Sequence, residues 1–416
     1  MKNNKTIGYK AFKKGLICKG KQYKENTVYK ENGNKICEAG VMHYCENPFD
    51  VLEYYPLVNG NGEIPEFAEV EPLGEVYRHE IKSATNKLRI GTKLGFADFV
   101  NTCINFTLEY TKVYESKEKF TQDAATIIIS EDFAEIITSN EDATQITSNG
   151  NDARIASNGH DTKIVSSGYA AQIASNGRNA YIASSGYAAQ ITNNEDNAHI
   201  ASNGHDTKIA SSGYVAQIAS NGRNAYIASS GYAAQITNNE DNAHIASNGY
   251  DAYIAGNGDS TRIVSNEKNA HIASNGYDAQ IASSGDYAKI ASNGYDARIA
   301  SSGNAAQITS NGNDARIVSS GIGAIIASSG DCSNVVSSGE RSAVVSIGYN
   351  SIAKAKIGSW ITLAEWENGE DNGYFIQNLK CVKTEYVDGE RIKEDVFYKL
   401  ENGEFVEVVQ KSERKI

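Results

Sequence analysis

Residues 173–204 read IASNGRNAYIASSGYAAQITNNEDNAHIASNG, and residues 218–249 repeat them letter for letter. The two copies begin 45 residues apart, which is five times nine. On both sides of them, Ile or Val recurs at every ninth position from Ile128 to Val344, within the consensus A-x-I-A-S-[N/S]-G-x-[D/N/A]. A strict internal period of this kind is typical of repeat architectures.

Each nine-residue unit divides into a strand and a turn. In A-x-I-A-S, the first Ala, the Ile and the Ser fall on one side of an extended chain, and we expect that side to face inward. The N-G-x-D segment has turn residues, and we expect its Gly to adopt a backbone conformation that β-carbons disfavour. A helix is excluded, because nine is a poor multiple of 3.6 and the units carry glycine. The pattern therefore predicts a parallel β-solenoid.

The small inward side chains predict a thin interior, which favours two units, about 18 residues, per coil with two facing sheets. A triangular coil of about 27 residues is the alternative. With two units per coil, inserting five units moves every later unit to the opposite face. The perfect copy therefore favours a rod of adjustable length whose two faces are nearly interchangeable.

The composition changes along the chain and sets the domain boundaries. We predict a small α+β N-terminal domain at residues 1–120, the solenoid at 121–353 and a β-hairpin C-terminal cap at 354–416, so that the fold class is dominated by β-structure. Asn47-Pro48 predicts the start of a short helix that reaches Tyr55. Asp388-Gly389 and Asn402-Gly403 predict turns between alternating apolar runs in the cap.

The solenoid offers surface side chains rather than a catalytic constellation. We interpret the x positions of both faces as solvated. Seven units place a tyrosine after the turn glycine, where the rings can pack along an edge or bind a partner. These candidate binding residues are Tyr169, Tyr187, Tyr214, Tyr232, Tyr250, Tyr277 and Tyr295.

No cofactor or metal is predicted. Cys18, Cys37, His43 and Cys45 could form a Cys₃His zinc site, but their spacing is irregular and favours buried thiols. The units also lack the paired glycines of calcium-binding β-rolls. Because no P-loop, G-x-S-x-G or H-E-x-x-H motif occurs, we predict that the protein is not an enzyme.

The charge and the apolar runs bear on location and partners. The net charge of −12 argues against direct nucleic-acid binding. The basic N-terminus lacks the apolar segment of a signal peptide, and no run reaches the 18 residues of a membrane span. Six scattered cysteines suit reduced thiols, so we expect a cytoplasmic protein without membrane contact.

A resemblance concerns the segment GYKAFKKGLICKGKQYKENTVYKENGNKICEAGVMHYCENPFDVLEYYPL, residues 8–57. Its GVMHYCENP block runs into an aromatic helix, as in an uncharacterised domain of predicted bacterial and phage proteins that it resembles. The resemblance covers about the first 110 residues, and similar proteins often continue into Ala-Ile-Ala-Ser-Ser-Gly arrays. It implies a mobile-element context and no particular activity.

Three functional hypotheses follow. The first is a non-enzymatic binding or scaffold protein, encoded by a phage or mobile element, that acts on a host protein and in its sharpest form inhibits a defence or DNA-processing enzyme. The second is a structural spacer or fibre module of a virion or surface assembly. The third is an enzyme activity in the N-terminal domain. The copied repeats favour the first two, and the lack of an export signal favours the first. The oligomeric state is left open.

Overall fold

The computed structural model describes residues 7–33, 40–55, 65–79, 82–95, 98–99, 102, 126–129, 137–371 and 374–408. The chain divides into two compact units, Met1–Tyr226 with Gln235–Thr237, and Ile227–Ala234 with Asn238–Ile416. The first unit contains the N-terminal domain and the early coils of a solenoid. The second contains later coils and the C-terminal hairpins.

The N-terminal domain is built almost wholly from strands. They are Gly8–Phe12 (β1), Ile17–Cys18 (β2), Lys21–Gln22 (β3), Thr27–Lys30 (β4), Met42–Tyr44 (β5), Glu66–Pro72 (β6), Val76–His79 (β7), Lys82–Thr85 (β8) and Lys87–Leu94 (β9). One sheet has the order β1-β6-β9-β4, another has the order β5-β8-β7, and β2 and β3 form a hairpin. Phe12, Leu88 and Ile90 are fully buried in its core. The helix predicted at Asn47-Pro48 is confirmed as a 3₁₀ helix at Pro48–Glu53.

The solenoid strands alternate between two parallel sheets. They begin with Thr126–Ile129 (β10) and Ile137–Ser139 (β11). Four-residue strands then start at every ninth residue, from Gln145–Ser148 (β12) to Ala343–Ser346 (β34), and Ile352–Lys354 (β35) follows. The even-numbered strands belong to the first sheet and the odd-numbered strands to the second. Since Ile164 pairs with Ile182 and Ile299 with Ile317, a coil has 18 residues, and the predicted two-sheet coil is confirmed.

The interior follows the predicted alternation. In the unit around β29, Ala297, Ile299 and Ser301 are buried, whereas Arg298 and Ala300 are exposed. Burying an Ile side chain contributes about 1.5–3 kcal/mol, and the buried Ile repeats with each strand of this series.

Side-chain amides also connect successive coils. Asn275 donates from Nδ2 to Oδ1 of Asn257 at 2.9 Å, Asn293 donates to Asn275 at 2.9 Å, and Asn311 donates to Asn293 at 3.0 Å. Each asparagine thus accepts from one coil and donates to another. This ladder ties the turns together in the same 18-residue register as the backbone.

The turns differ from the sequence prediction in the role of glycine. The residue with positive φ is the last position of the unit, as at Asp296 (φ 55°) and Ala305 (φ 53°), and not the glycine two residues earlier. The glycine is needed for a close approach: a Cβ on Gly303 would lie 1.9 Å from the carbonyl oxygen of Gly285. The expectation that this Gly supplies a strained backbone conformation is therefore wrong. It allows neighbouring coils to touch.

The register of the first strand also differs from the prediction. Ile127, and not Ile128, pairs with Ile146. The intervening distance is one residue longer than a regular coil, so a one-residue slip separates β10 from the strict repeat. The strict period holds from Ile137, which pairs with Ile155.

Two hairpins follow the last coil, as the sequence predicted. Trp360–Asp371 (β36) and Tyr374–Tyr386 (β37) form one hairpin, and Phe397–Glu401 (β38) and Glu404–Val408 (β39) form the other. β36 pairs with β34 and so extends the first sheet, while β38 pairs with β35 and extends the second. The predicted turn at Asn402-Gly403 has positive φ at both residues (51° and 72°). Asp388 accepts three backbone N–H bonds through Oδ1 in the loop between the hairpins.

Exchanging the roles of two turn residues tests this explanation. Gly303→Ala should lower the free energy of unfolding by roughly 1–3 kcal/mol, because the new Cβ meets a backbone carbonyl. The cost should not be larger, because Glu takes the place of this glycine in four other turns. Ala305→Gly should change stability by less than about 1 kcal/mol, because relief of the positive φ offsets the extra freedom of glycine in the unfolded chain. Urea unfolding of both variants is the measurement, and a larger loss for Ala305→Gly would contradict it.

Candidate binding sites on the N-terminal domain and the solenoid

The outer face of the first sheet is covered in the first unit. Val165, Ala183, Ala201 and Ala219 point outward from this sheet but are buried. The outward positions of the second sheet are open in the same unit, as Ala210 shows. The interpretation of both faces as solvated and interchangeable is therefore wrong for these coils.

The N-terminal domain is what covers this face. Val51, Phe67 and Phe99 of the domain share one apolar cluster with Val165 and Tyr181 of the first sheet. We call the solenoid part of this contact the docking face; it consists of Lys163, Val165, Tyr181, Ala183, His199 and Ala201. Phe67 and Phe99 stack with ring centroids 3.8 Å apart.

An ion pair fixes the edge of the contact. Nζ of Lys163 donates to Oδ1 of Asp50 at 2.7 Å, which joins the 3₁₀ helix to the first sheet. Both side chains are largely buried, so the pair is shielded from salt and breaking it would leave a charge poorly solvated. The pair therefore specifies where the domain sits as well as contributing to affinity.

His199 lies in the docking face and is held neutral. Its ring stacks on Tyr181 with centroids 4.7 Å apart and planes 7° from parallel. Its Nδ1 is buried and has no hydrogen-bond partner among the residues that the structure describes. Burial lowers the pKa of His199 to about 4.

A second candidate site is a cavity of about 600 Å³ within the N-terminal domain. Residues from β1, β2, β5 and the 3₁₀ helix line it, because the backbone bonds between Tyr9 and Cys45 hold β1 beside β5. Inside, Nζ of Lys10 donates to the carbonyl oxygen of His43 at 2.7 Å, and the Tyr55 hydroxyl donates to Sγ of Cys18 at 3.2 Å.

The cavity is basic. Lys10, Lys19, Lys21 and Lys82 line it, and Glu31, the acidic residue of its lining, is paired with Lys21 at 2.6 Å. Burial lowers the pKa of Lys10, which the nearby thiol of Cys18 partly opposes. Burial, together with Lys19, Lys10 and Lys82, lowers the pKa of His43 to about 4. The cavity therefore suits an anion, and it presents an amine that loses its proton more easily than an exposed lysine.

The structure also brings together three of the four candidate zinc ligands. Cys18, His43 and Cys45 all line the cavity, whereas Cys37 lies outside the described residues. Within the described part of the chain, no group of three or more His, Cys, Asp or Glu side chains is placed to hold a metal ion. Lys10 and Tyr55, which give the cavity its chemistry, were not identified from the sequence, since neither belongs to a motif.

The seven candidate tyrosines are exposed, but they do not form one strip. Tyr169, Tyr187, Tyr277 and Tyr295 lie in turns that leave the first sheet; Tyr214, Tyr232 and Tyr250 lie in turns that leave the second. Within each unit, partners stack on neighbouring coils: the Tyr169 and Tyr187 centroids are 5.4 Å apart, and those of Tyr277 and Tyr295 are 4.9 Å apart.

Comparison with known proteins identifies the N-terminal domain alone. Residues 6–102 match a domain of unknown function, DUF7666. No curated protein and no solved structure matches the chain. In the described residues, no helix is long and apolar enough to cross a membrane. The chain thus combines a scaffold-like β-solenoid with a domain whose activity is not established.

Acidification should weaken the docking of the N-terminal domain. Because the pKa of His199 is about 4 when docked and about 6.5 when exposed, the stabilisation is complete above pH 6.5 and declines as the pH falls towards 4. Between pH 7 and pH 5 we expect a loss of roughly 2 kcal/mol. Hydrogen exchange at residues 163–201 measures it. His199→Gln should remove this pH dependence, whereas His244→Gln, in a less buried copy, should leave it unchanged.

Proposed function

We propose that the protein is a non-enzymatic binding scaffold that acts through protein–protein interaction. In this proposal the protein is encoded by a phage or mobile element and engages a host protein in the cytoplasm, where it inhibits a defence or DNA-processing enzyme. The mobile-element origin is supported by the resemblance of the N-terminal segment. The solenoid supplies regular surfaces rather than a catalytic centre.

The observation that carries the proposal is the ordered exposure of aromatic rings. Tyr277 is 49% exposed and Tyr295 is 37% exposed, although the two rings are stacked. Tyrosine buries a large apolar area at interfaces and loses little conformational freedom, especially when its ring is already held. Such a pair is suited to contact a protein partner.

Acidic side chains hold several of these rings in place. The Tyr295 hydroxyl is hydrogen-bonded to the carboxylate of Asp314, which raises the pKa of Tyr295 to about 12. Tyr187 is held in the same way by Asp206, and the hydrogen bond lowers the pKa of Asp206. Part of the acidic charge of the solenoid therefore positions tyrosines, which favours aromatic contact over charge mimicry as the mode of binding.

The tyrosine surface can be tested against the charge. Capture from host lysate on immobilised protein, quantified by mass spectrometry, should lose its partner when Tyr277 and Tyr295 are both changed to Ser. The matched change of Asp278 and Asp296 to Asn removes two neighbouring charges and should have a smaller effect. Binding should survive 0.3 M salt, where exposed charges are strongly screened. A partner that dissociates in salt and ignores the tyrosine changes would instead support electrostatic mimicry.

The cavity of the N-terminal domain favours a second candidate function, the binding or conversion of a small anionic molecule. Four lysines face a space large enough for a metabolite, and the buried amine of Lys10 lies close to the thiol of Cys18. Perturbed groups of this kind in a cavity are common at functional sites.

Phosphate provides a simple probe for the cavity. A ligand at 100 times its Kd raises stability by about 2.7 kcal/mol, so millimolar phosphate should raise the Tm of the N-terminal domain. Lys10→Met should abolish this increase, because it removes the innermost positive charge. Lys14→Met, an equivalent change at an exposed lysine outside the cavity, should retain it. Equal increases in all three proteins would exclude the cavity as the anion site.

A further inference from the structure

The copy that begins in the early coils is longer than its perfect core. Residues 155–204 recur at residues 200–249 with two differences, Val165 against Ala210 and Ala170 against Val215. The copied segment therefore includes the whole docking face from Lys163 to Ala201. A shift of 45 residues is five strands, an odd number, so the copy of an even-numbered strand falls on an odd-numbered strand of the second sheet.

The first copy is occupied by the N-terminal domain of its own chain. Lys163 is paired with Asp50, and Tyr181 is 5% exposed within the apolar cluster shared by the domain and the sheet. Lys163 and Tyr181 stand opposite each other on neighbouring strands. This pair of positions is the centre of the docking face.

The second copy presents the same pair on an open face. Lys208 and Tyr226, both in the first unit, are the copies of Lys163 and Tyr181. The backbone N–H of Tyr226 donates to the carbonyl oxygen of Thr207 at 2.8 Å, the same bond that Tyr181 makes with Thr162 at 2.8 Å. The local geometry is therefore repeated, yet Tyr226 is 49% exposed.

We propose that this second face, centred on Lys208, Ala210 and Tyr226, binds the N-terminal domain of a second copy of this chain. The occupant follows from the sequence, because the face reproduces the residues that already bind this domain within one molecule. Asp50 of the incoming domain pairs with Lys208, and the apolar cluster around Phe67 packs on Tyr226. Two molecules that exchange their domains reciprocally form a closed dimer.

The two differences set the balance between the two arrangements. Ala210 offers less apolar surface than Val165, which is fully buried in the docked contact. The contact within one chain also benefits from an effective concentration on the order of millimolar. Both effects favour the arrangement within one molecule at low concentration, so exchange requires either concentrated protein or a change that weakens the first site.

A charge swap decides between the sites at micromolar concentration, with molecular mass measured by light scattering. Asp50→Lys combined with Lys208→Asp makes the first site repulsive and the second attractive, and it should give a mass of two or more chains. Asp50→Lys combined with Lys163→Asp restores the contact within one chain and opposes the exchange, so it should give the mass of one chain. Both proteins carry the same change in the N-terminal domain, which makes each the control of the other.

The tyrosine supplies an independent check in the exchanging protein. Adding Tyr226→Asp to the Asp50→Lys, Lys208→Asp protein should return it to the mass of one chain. Adding Tyr287→Asp, which changes an exposed tyrosine outside the copied segment, should leave the larger mass. Equal masses for the two charge-swap proteins, or a larger mass that survives Tyr226→Asp, would overturn the proposal.

Discussion

The contact on which the solenoid depends is that between each turn glycine and the backbone carbonyl eighteen residues earlier. A Cβ at Gly294 would lie 1.8 Å from the oxygen of Gly276, and one at Gly312 would lie 1.9 Å from the oxygen of Gly294. This close approach lets the parallel ladder, the row of buried Ile and the amide ladder of asparagines share one spacing. The left-handed residue then falls two positions later, where Asp, Asn or Ala is tolerated because the side chain points away from the neighbouring coil.

Much of the solenoid could be predicted because its physics is local and repeats. The alternation of Ala, Ile and Ser with outward residues predicts the interior, and their small volume predicts two sheets per coil. The role of glycine could not be derived in this way, since a glycine that avoids a clash and a glycine with positive φ look alike in a sequence. The slip at Ile127 was equally hidden, because three consecutive Ile residues precede it in the ninefold frame or follow it.

The asymmetry of the two faces could not be predicted from the repeat. Tyr181 and His199 have the same sequence neighbours as Tyr226 and His244, and the difference between them arises from a domain more than sixty residues away in the chain. The cavity shows the same limit. Cys18, His43 and Cys45 were recognised as possible neighbours, but Lys10 acquires its environment when β1 pairs with β6 and bridges to β5. Long-range packing, and not local pattern, creates both sites.

The C-terminal hairpins have a consequence for proteostasis. A parallel coil that ended openly would present two unpaired strand edges, which template the addition of further extended chains as in amyloid. Here β36 and β38 cover those edges, and their partner strands carry charged residues that are tied together, as Lys383 and Glu404 are at 3.2 Å. Because this terminator lies after the last coil, duplication of coils further upstream lengthens the molecule without exposing a growing end. The gene can therefore gain repeats while its product remains protected from fibril formation at this end.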